Sequence, residues 1–503
     1  AYGVLRDWKP YMDFHLIMTC FADPRAYFRC MSPAFKSKCL ADPALRAHTE
    51  LGPTDIGDRL GLNVNIFHPE VRAYLKSFFQ KAWAAAGKDP YAAVLEYAGE
   101  PCFYLPNLNG KSYVYDYSVQ AKEEFRRFLQ VKFPTLDALN KAWNSRYGRF
   151  EDIAPPTYDM MQEMRPADLP LIYEFRRFRK QALCEHFKMI YDAARRGSNK
   201  PVMIRWGREY FNGNSLDAFD VFRLTADTSD ITEHHNCDDG TYGHFATQNY
   251  CYSIARYLNH KPRATTEFYV AAPEVTHFNW DKDDIGILWH RSVNNLWRAI
   301  LWDEKLIVLW YLSGHPDPKR PGPDYRSGMT LAPVHLGVLP WMKTKTVNGI
   351  EDVIFRTRVV TPKVAMLAPF DATMVCQPDA HIAREAKEVH RFLDEFNYDY
   401  FCVPEELVLS GKETLSSYKV LFAPYTLWAS AATQERLLQW VSGGGVLVMV
   451  GPFGYWDEYG RPSRALLDQC FGRIPMEVKK EGGVYGVALP HDELSRQPKV
   501  TIE

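Results

Sequence analysis

Short apolar runs alternate with stretches of helical periodicity from the start of the chain to residue 311. The runs contain β-branched and aromatic residues and are bounded by turn residues, which is typical of buried strands. They lie at 14–21, 91–100, 200–206, 230–235, 263–269 and 306–311. Between them, helical spacing of apolar residues recurs at 69–87, 120–143, 171–197 and 297–304. Strands that alternate with helices predict an α/β fold with a parallel sheet.

Reactive or aromatic side chains follow strand after strand in this pattern. Glu100 stands at the end of the second run, before Pro101, and Glu267 stands near the end of the fifth. The other residues at strand ends are Arg205, Trp206, His234, His235, Asn236 and Trp310. Barrel enzymes keep their chemistry at the carboxyl ends of parallel strands. The pattern therefore predicts that residues 1–360 form a (β/α)8 TIM barrel with its site at that face.

The character of the chain changes after Pro362. Apolar runs at 363–369, 400–403, 419–424 and 445–450 alternate with amphipathic helices at 383–396 and 432–441. This predicts a flavodoxin-like, doubly wound α/β domain over 361–503. The glycines at 443–445 precede a strand instead of linking a strand to a helix, so they indicate a turn and not a phosphate loop.

Composition and charge narrow the function classes. A chain of 503 residues is long enough for two or three domains, and its net charge of −1 gives no reason to expect nucleic acid or an anionic membrane as a partner. The 13 Trp, 29 Tyr and 29 Phe are suited to stacking on carbohydrate rings, although a large core is the alternative. The ten Cys form no C-x-x-C pair, which predicts free thiols, no zinc site and a cytoplasmic location. No segment resembles a membrane span.

Two carboxylates at strand ends are the strongest chemical signal. A retaining glycosidase needs two carboxyl groups about 5–5.5 Å apart, one protonated and one ionised. Glu100 and Glu267 fit this requirement if they converge across the barrel mouth, whereas structural carboxylates are the alternative. Glu96 is the nearest rival, and on an alternating strand it shares a face with Glu100 but lies about 13 Å deeper.

Several motifs, in order, carry a resemblance to glycoside hydrolase family 42 β-galactosidases. A His-Pro segment at His68 leads through a helix to Glu100, and an Asn-Trp pair follows Glu267. The remaining matching motifs are FRRFL at 125–129, LNKAW at 139–143, PP at 155–156, GGGVLV at 443–448 and DEYGR at 457–461. The resemblance implies that Glu100 is the acid/base, that Glu267 is the nucleophile, that no cofactor is needed, and that the second domain makes a homotrimer.

Further residues are predicted to contact the sugar. Trp280 and Trp310 are expected to stack on it, and Arg205 can fork onto hydroxyl groups. The other predicted contacts are Asn65, His68, Trp206, His234, Asn236 and Tyr269. Adjacent strand residues point to opposite faces, so His234 and His235 are not predicted to share a metal ion.

Two features depart from the family pattern. Gly99 stands where the clan usually has an Asn that binds the 2-hydroxyl of the sugar, which leaves β-mannosidase or another β-glycosidase activity as an alternative. The chain also begins inside the predicted barrel, so the first βα units are expected to be missing. The alternative from a different functional class is a carbohydrate-binding protein that has the fold of a glycosidase and no enzymatic activity.

Overall fold

A computed structural model gives the architecture of the chain. The residues that it describes are 16–19, 31–54, 64–90, 92–99, 104–108, 111–205, 220–235, 257, 261–268, 285–309, 349–369, 381–472, 477–481 and 484–488. Their strands are β1 (Leu16–Thr19), β2 (His48–Thr49), β3 (Gly52–Pro53), β4 (Ala92–Gly99), β5 (Tyr104–Leu108), β6 (Lys111–Val114), β7 (Val202–Arg205), β8 (Thr232–His235), β9 (Arg263–Phe268), β10 (Leu306–Leu309), β11 (Val364–Ala368), β12 (Tyr400–Pro404), β13 (Val420–Trp428), β14 (Val446–Trp456), β15 (Glu477–Glu481) and β16 (Val484–Ala488).

Helices of the same residues are labelled in chain order. They are α1 (Pro33–Ala41), α2 (Pro69–Ala86), α3 (Val119–Lys132), α4 (Leu136–Trp143), α5 (Tyr158–Glu163), α6 (Leu169–Gly197), α7 (Val221–Thr228), α8 (Ile285–Leu301), α9 (Glu351–Arg356), α10 (His381–Glu395), α11 (Glu405–Leu409), α12 (Ala431–Ser442) and α13 (Ala465–Phe471).

Six parallel strands form an arc in the order β1-β4-β7-β8-β9-β10. Parallel pairing joins β1, β4 and β7 in one sheet and β8, β9 and β10 in another. The sheets meet where Asp230, just before β8, donates its N–H to the Val202 carbonyl and accepts the Val202 N–H, both at 2.8 Å. All six strands predicted from the apolar runs are confirmed.

The two faces of this arc pack differently. Leu95 and Ile204 are fully buried against an aromatic layer from α2 and α6 that includes Phe79 and Phe187. The opposite face has its own small cluster, made by Val94, Met203, Ile231, Ala264 and the partly buried Leu306. Helices therefore cover one face, and the second cluster marks the concave interior of the predicted barrel.

Helix α6 ends where it crosses α2 at backbone distance. A Cβ added to Gly197 would lie 2.3 Å from the carbonyl oxygen of Gln80 and 2.9 Å from the amide nitrogen of Ala84. These atoms belong to the main chain of α2, so they cannot move aside without shifting the helix. The crossing therefore requires glycine at position 197.

Gly197→Ala is expected to lower the free energy of unfolding by about 1–3 kcal/mol, the usual cost of overpacking a core. Denaturant titration followed by circular dichroism measures it. Gly148→Ala is the matched control, because a Cβ there would approach nothing closer than a carboxylate oxygen of Asp152 at 3.4 Å. Equal stability of the two variants would contradict the packing argument.

Two local predictions differ from the structure. The helix predicted over 120–143 is divided into α3 and α4, because Pro134 lacks an N–H and Thr135 caps α4 by accepting the N–H of Ala138 at 3.2 Å. The segment after Glu100, where the apolar runs predict no strand, contains the antiparallel pair β5 and β6. Paired strands satisfy backbone groups that a loop would leave to water.

A second parallel sheet has the strand order β12-β11-β13-β14. Met366 and Tyr400 face α10, whose Val389 and Leu393 are buried against them. The neighbouring positions on these strands face the other way, into a cluster that includes Leu437 of α12. Strands with helices on both faces confirm the predicted α/β layering of this part of the chain.

A turn after β14 connects this second sheet to the helices of the first. Glu174 of α6 is fully buried and accepts hydrogen bonds from Lys132 at 2.5 Å and from the Tyr459 hydroxyl at 2.7 Å. Asp457 holds the turn by accepting the N–H groups of Tyr459 and Arg461, both at 2.9 Å. The DEYGR motif is thus a turn that inserts Tyr459 between the two parts of the chain.

Candidate active site

The carboxyl ends of the parallel strands lie at one edge of the arc. Gly99 of β4 is in register with Arg205 of β7, and Phe268 of β9 is in register with Leu309 of β10. His235 of β8 pairs with Thr266, the residue before Glu267. The backbone of Glu267, the predicted nucleophile, therefore lies at the same edge as the residue that precedes Glu100.

The register shifts on the two strands that carry the predicted carboxylates. Between Glu96 and Ala98, β4 has one residue more than β7, which advances only from Met203 to Ile204. Between Thr265 and Phe268, β9 has one residue more than β10. A β-bulge is one form of such a shift, and β-bulges are over-represented at barrel rims and next to active sites. Another shift, near Leu16, lies at the amino end of β4 and away from this edge.

The register shift on β9 interrupts the simple alternation of faces along this strand. Ala264 belongs to the interior cluster, so strict alternation would assign position 267 to the face that carries the helices. The additional residue before Phe268 interrupts this alternation, so the face to which position 267 belongs stays a prediction. On β4, the shift also separates Glu96 from the residues after it, so the prediction that Glu96 and Glu100 share a face does not follow from simple alternation.

The side chains of most predicted contacts lie outside the part of the chain that the structure describes. This holds for Glu100, Trp206, Asn236, Tyr269, Trp280 and Trp310. For Arg205, His234 and Glu267 the structure describes the backbone alone. The separation of the two carboxyl groups therefore stays a prediction.

Asn65 has a structural role. Its side chain is fully buried, and its amide donates to the carbonyl of Ala44 at 3.0 Å and to the side chain of Gln120 at 2.9 Å. Its oxygen accepts the N–H of Phe67 at 3.0 Å. With both N–H groups and the oxygen bonded to protein, Asn65 ties the segment before α2 to α3, and these bonds replace the sugar contact predicted for it.

His68 is the amino-terminal cap of α2. Its Nδ1 accepts the N–H of Glu70 at 3.3 Å, and Pro69 follows at the first helical position. The His-Pro motif is thus explained by helix initiation. The His68 side chain accepts one of the backbone N–H groups that the first turn leaves unpaired, and proline at the first helical position has no N–H that needs a partner. A sugar contact through the other ring nitrogen stays a prediction.

Buried charges support the opposite, amino-terminal edge of β9 and β10. Arg263 and Lys305 both form ion pairs with Asp303, and Glu304 lies beside them at 2% exposure. Burial raises the pKa of Glu304, and the cations Arg263 and Lys305 oppose this rise. Polar clusters at this face of a barrel serve stability.

Asp116 is a buried acid that is not among the predicted site residues. One of its oxygens accepts the N–H of His48 at 3.0 Å and the N–H of Ser118 at 2.7 Å, which joins β2 to the start of α3. Burial raises its pKa to about 6, and these hydrogen bonds oppose the rise. Ser118 is the cap of α3, and an acid two residues before a helix cap is a position from which this hydrogen bond to the cap's N–H could have been predicted.

Among the described residues, no three His, Cys, Asp or Glu side chains are grouped so that they could hold a metal ion. No helix in this part of the chain is both long and apolar enough to cross a membrane.

Family models match two segments of the chain. Residues 102–283 match glycoside hydrolase family 42, described as β-galactosidase, and residues 378–502 match the second domain of GLMA-like proteins. Among curated proteins, β-galactosidase BgaP of Planococcus sp. strain L4 is 27% identical over 160 residues. That match covers 27% of this chain and 23% of BgaP, so it spans less than a quarter of the relative.

Solved structures extend the likeness to nearly the whole chain. The β-galactosidase of Bacillus circulans sp. alkalophilus is 18% identical, with a TM-score of 0.66 over 97% of this chain and 72% of that one. Gan42B, a family 42 β-galactosidase of G. stearothermophilus, is 17% identical, with a TM-score of 0.70 over 95% of this chain and 68% of that one. The chain therefore shares the fold of these TIM-barrel proteins.

Proposed function

We propose that this chain, which resembles the β-galactosidases of glycoside hydrolase family 42, is a retaining exo-β-glycosidase that acts on β-galactosides or related β-hexosides. The observation that carries the proposal is the matched segment 102–283, which includes β9 and Glu267 at the carboxyl edge of the parallel strands.

The proposed mechanism is a double displacement. The carboxylate of Glu267 attacks the anomeric carbon, the bond from that carbon to the leaving oxygen breaks, and Glu100 gives its proton to the leaving oxygen. Glu100 then accepts a proton from water, whose oxygen attacks the anomeric carbon and releases Glu267. Both steps use side chains of this chain, and we propose that no cofactor is required.

Aromatic and polar side chains at the same edge would bind the sugar. We assign stacking to Trp280 and Trp310, a further contact to Trp206, and hydrogen bonds to hydroxyl groups to Arg205, His234, Asn236 and Tyr269. Gly99 favours a sugar whose 2-position differs from that of galactose, so β-mannosides belong among the substrates to be tested. Binding without hydrolysis is the alternative on the same frame.

The second sheet completes the proposed organisation. We propose a domain boundary at residues 360–361, a flavodoxin-like second domain, a homotrimer assembled through that domain, and a cytoplasmic location. The parallel order β12-β11-β13-β14 supports the flavodoxin comparison, since doubly wound sheets of that type begin in the centre and proceed to both sides.

Hydrolysis of aryl β-glycosides is expected, with the β-anomer as the first sugar product. A panel of aryl β-galactoside, β-mannoside, β-glucoside and β-fucoside identifies the substrate, and proton NMR in the first minutes identifies the anomer before mutarotation. An initial α-anomer would contradict the retaining mechanism. Sugar binding without turnover of any aryl glycoside would favour the alternative that the chain only binds carbohydrate.

A further inference from the structure

A cavity lies in the helical layer outside the parallel strands, between α2, α3 and α6. Its volume is about 230 Å³, which is below the range of about 300–1,000 Å³ for pockets of drug-sized ligands, so it suits a molecule of one ring. The residues that line it belong to these three helices or to positions 66 and 67 before α2, and none of them is on a strand. The cavity is therefore separate from the carboxyl edge of the strands, where the proposed hydrolysis takes place.

The space exists because a small residue stands in the middle of the α6 side of the cavity. Ala182 lies one helical turn from Phe178 and one turn from His186, and all three line the cavity. The ring of Phe178 contacts those of Phe67 and Phe128, with centroids 5.7 Å and 5.9 Å apart. The methyl group of Ala182 does not fill the space beside these rings, so the packing leaves a cavity with an aromatic wall.

Polar side chains make up the rest of the lining. Arg127 of α3 lies 3.3 Å from Glu124 on the same helix, and Glu185 of α6 accepts a hydrogen bond from the Gln181 amide at 2.8 Å. Arg72 of α2 is half-buried, and its guanidinium forms no hydrogen bond or ion pair with any other residue that the structure describes. Its N–H donors are therefore available to a ligand in the cavity.

The charges of this lining balance. Arg72 and Arg127 are cations, and Glu124 and Glu185 are anions. His186 adds no charge at neutral pH, because burial and, to a smaller extent, the Arg72 guanidinium lower its pKa to about 3. An anion in the cavity would meet two carboxylates, and a cation would meet two guanidinium groups. Hydroxyl groups both donate and accept, so a neutral molecule with several of them finds partners of both kinds.

We propose that this cavity is a binding site for one neutral sugar ring, additional to the proposed catalytic site. The C–H groups of the sugar pack against the aromatic wall that Phe128 helps to form, Arg72 donates to two adjacent hydroxyl groups, and Glu185 accepts from another. A sugar bound here is outside the strands that carry the predicted carboxylates, so it is bound and released unchanged. The proposal concerns binding and does not depend on the proposed hydrolysis.

A fluorine label in place of Phe128 reports on this cavity and not on the strand ends. We suggest 4-fluorophenylalanine at this position of the full chain, with its fluorine NMR signal followed as galactose, mannose or glucose is added. At least one sugar is expected to shift the signal saturably, with a Kd of about 1–10 mM for so small a ligand. Free sugars contain no bond to hydrolyse, so the result is the same whether or not the chain is a glycosidase.

Two variants of the labelled protein locate the binding. Ala182→Leu places a larger side chain in the cavity and is expected to raise Kd at least about 10-fold. Ala85→Leu is the matched control, because it adds the same side chain to α2 at an exposed position outside the cavity, and Kd should not change. Arg72→Met retains the apolar stem and removes the donors, so it should also raise Kd about 10-fold or more and serves if A182L folds poorly.

A second label makes the result specific to the cavity. The same fluorinated residue in place of Phe355, which is 64% exposed and does not line the cavity, should show no saturable shift. Absence of a saturable shift at position 128 with all three sugars would overturn the proposal, and so would an equal Kd in the unmutated chain, A182L and R72M. A saturable shift with inorganic sulfate and none with the sugars would assign the cavity to an anion instead.

Discussion

Glu267→Ala is expected to reduce kcat/KM for aryl β-glycosides by at least about 1,000-fold, because removal of a covalent nucleophile leaves only binding and the remaining charges to lower the barrier. The loss should affect good and poor leaving groups alike, since the missing attack precedes departure of either. Thermal unfolding should change little, because Glu267 lies next to the end of β9.

Azide makes this test diagnostic of the role of Glu267. In the space left by the carboxylate, azide can attack the anomeric carbon directly while Glu100 protonates the leaving oxygen. A single displacement inverts the configuration, so the expected product is an α-glycosyl azide, identified by NMR. A β-glycosyl azide from this variant would mean that Glu267 is not the nucleophile. Retention of full activity would remove Glu267 from the chemistry altogether.

The parallel strands were predictable because apolar runs carry a strong signal. All six runs before residue 311 became strands, since each is short, rich in β-branched or aromatic residues, and bounded by turns. The division between α3 and α4 was also encoded, in Pro134 and Thr135, but the helical periodicity on both sides concealed it. Periodicity thus found the elements and missed a boundary that local backbone chemistry decides.

The register of the strands was not predictable from the same pattern. Alternation places Glu96 and Glu100 on one face of β4, and the additional residue between Glu96 and Ala98 breaks that inference. A bulge arises from the pairing of two strands, so one strand's sequence does not reveal it. The same limit applies to β9, where the register also shifts, between Thr265 and Phe268.

The motifs predicted where residues lie more reliably than what those residues do. Asn65 and His68 lie directly before α2, yet their bonds to Gln120 and Glu70 are those of an interior amide and a helix cap. Likewise, the DEYGR motif proved to hold Tyr459 against Glu174. Contacts between residues far apart in sequence decide such roles, and a single sequence does not display them.

Glu100→Ala is expected to give a loss of activity that depends on the leaving group. Departure of a poor leaving group, such as an alkyl alcohol, needs the proton that Glu100 supplies, so kcat/KM should fall by about 100- to 10,000-fold. A dinitrophenolate leaves without a proton, so formation of the glycosyl-enzyme on Glu267 should be nearly unchanged for that substrate. Its turnover should then be limited by the second step, because water has lost its general base.

Azide again identifies the role, with the opposite stereochemistry. It needs no general base, so it should accelerate turnover of the dinitrophenyl substrate by E100A and yield a β-glycosyl azide through two inversions. Glu96→Gln is the matched control: this acid lies four residues earlier, 4% exposed, before the register shift of β4. Any loss of activity in E96Q should be the same for good and poor leaving groups. If the loss of activity depended on the leaving group in E96Q and not in E100A, Glu96 would be the acid/base and the assignment of Glu100 would be wrong.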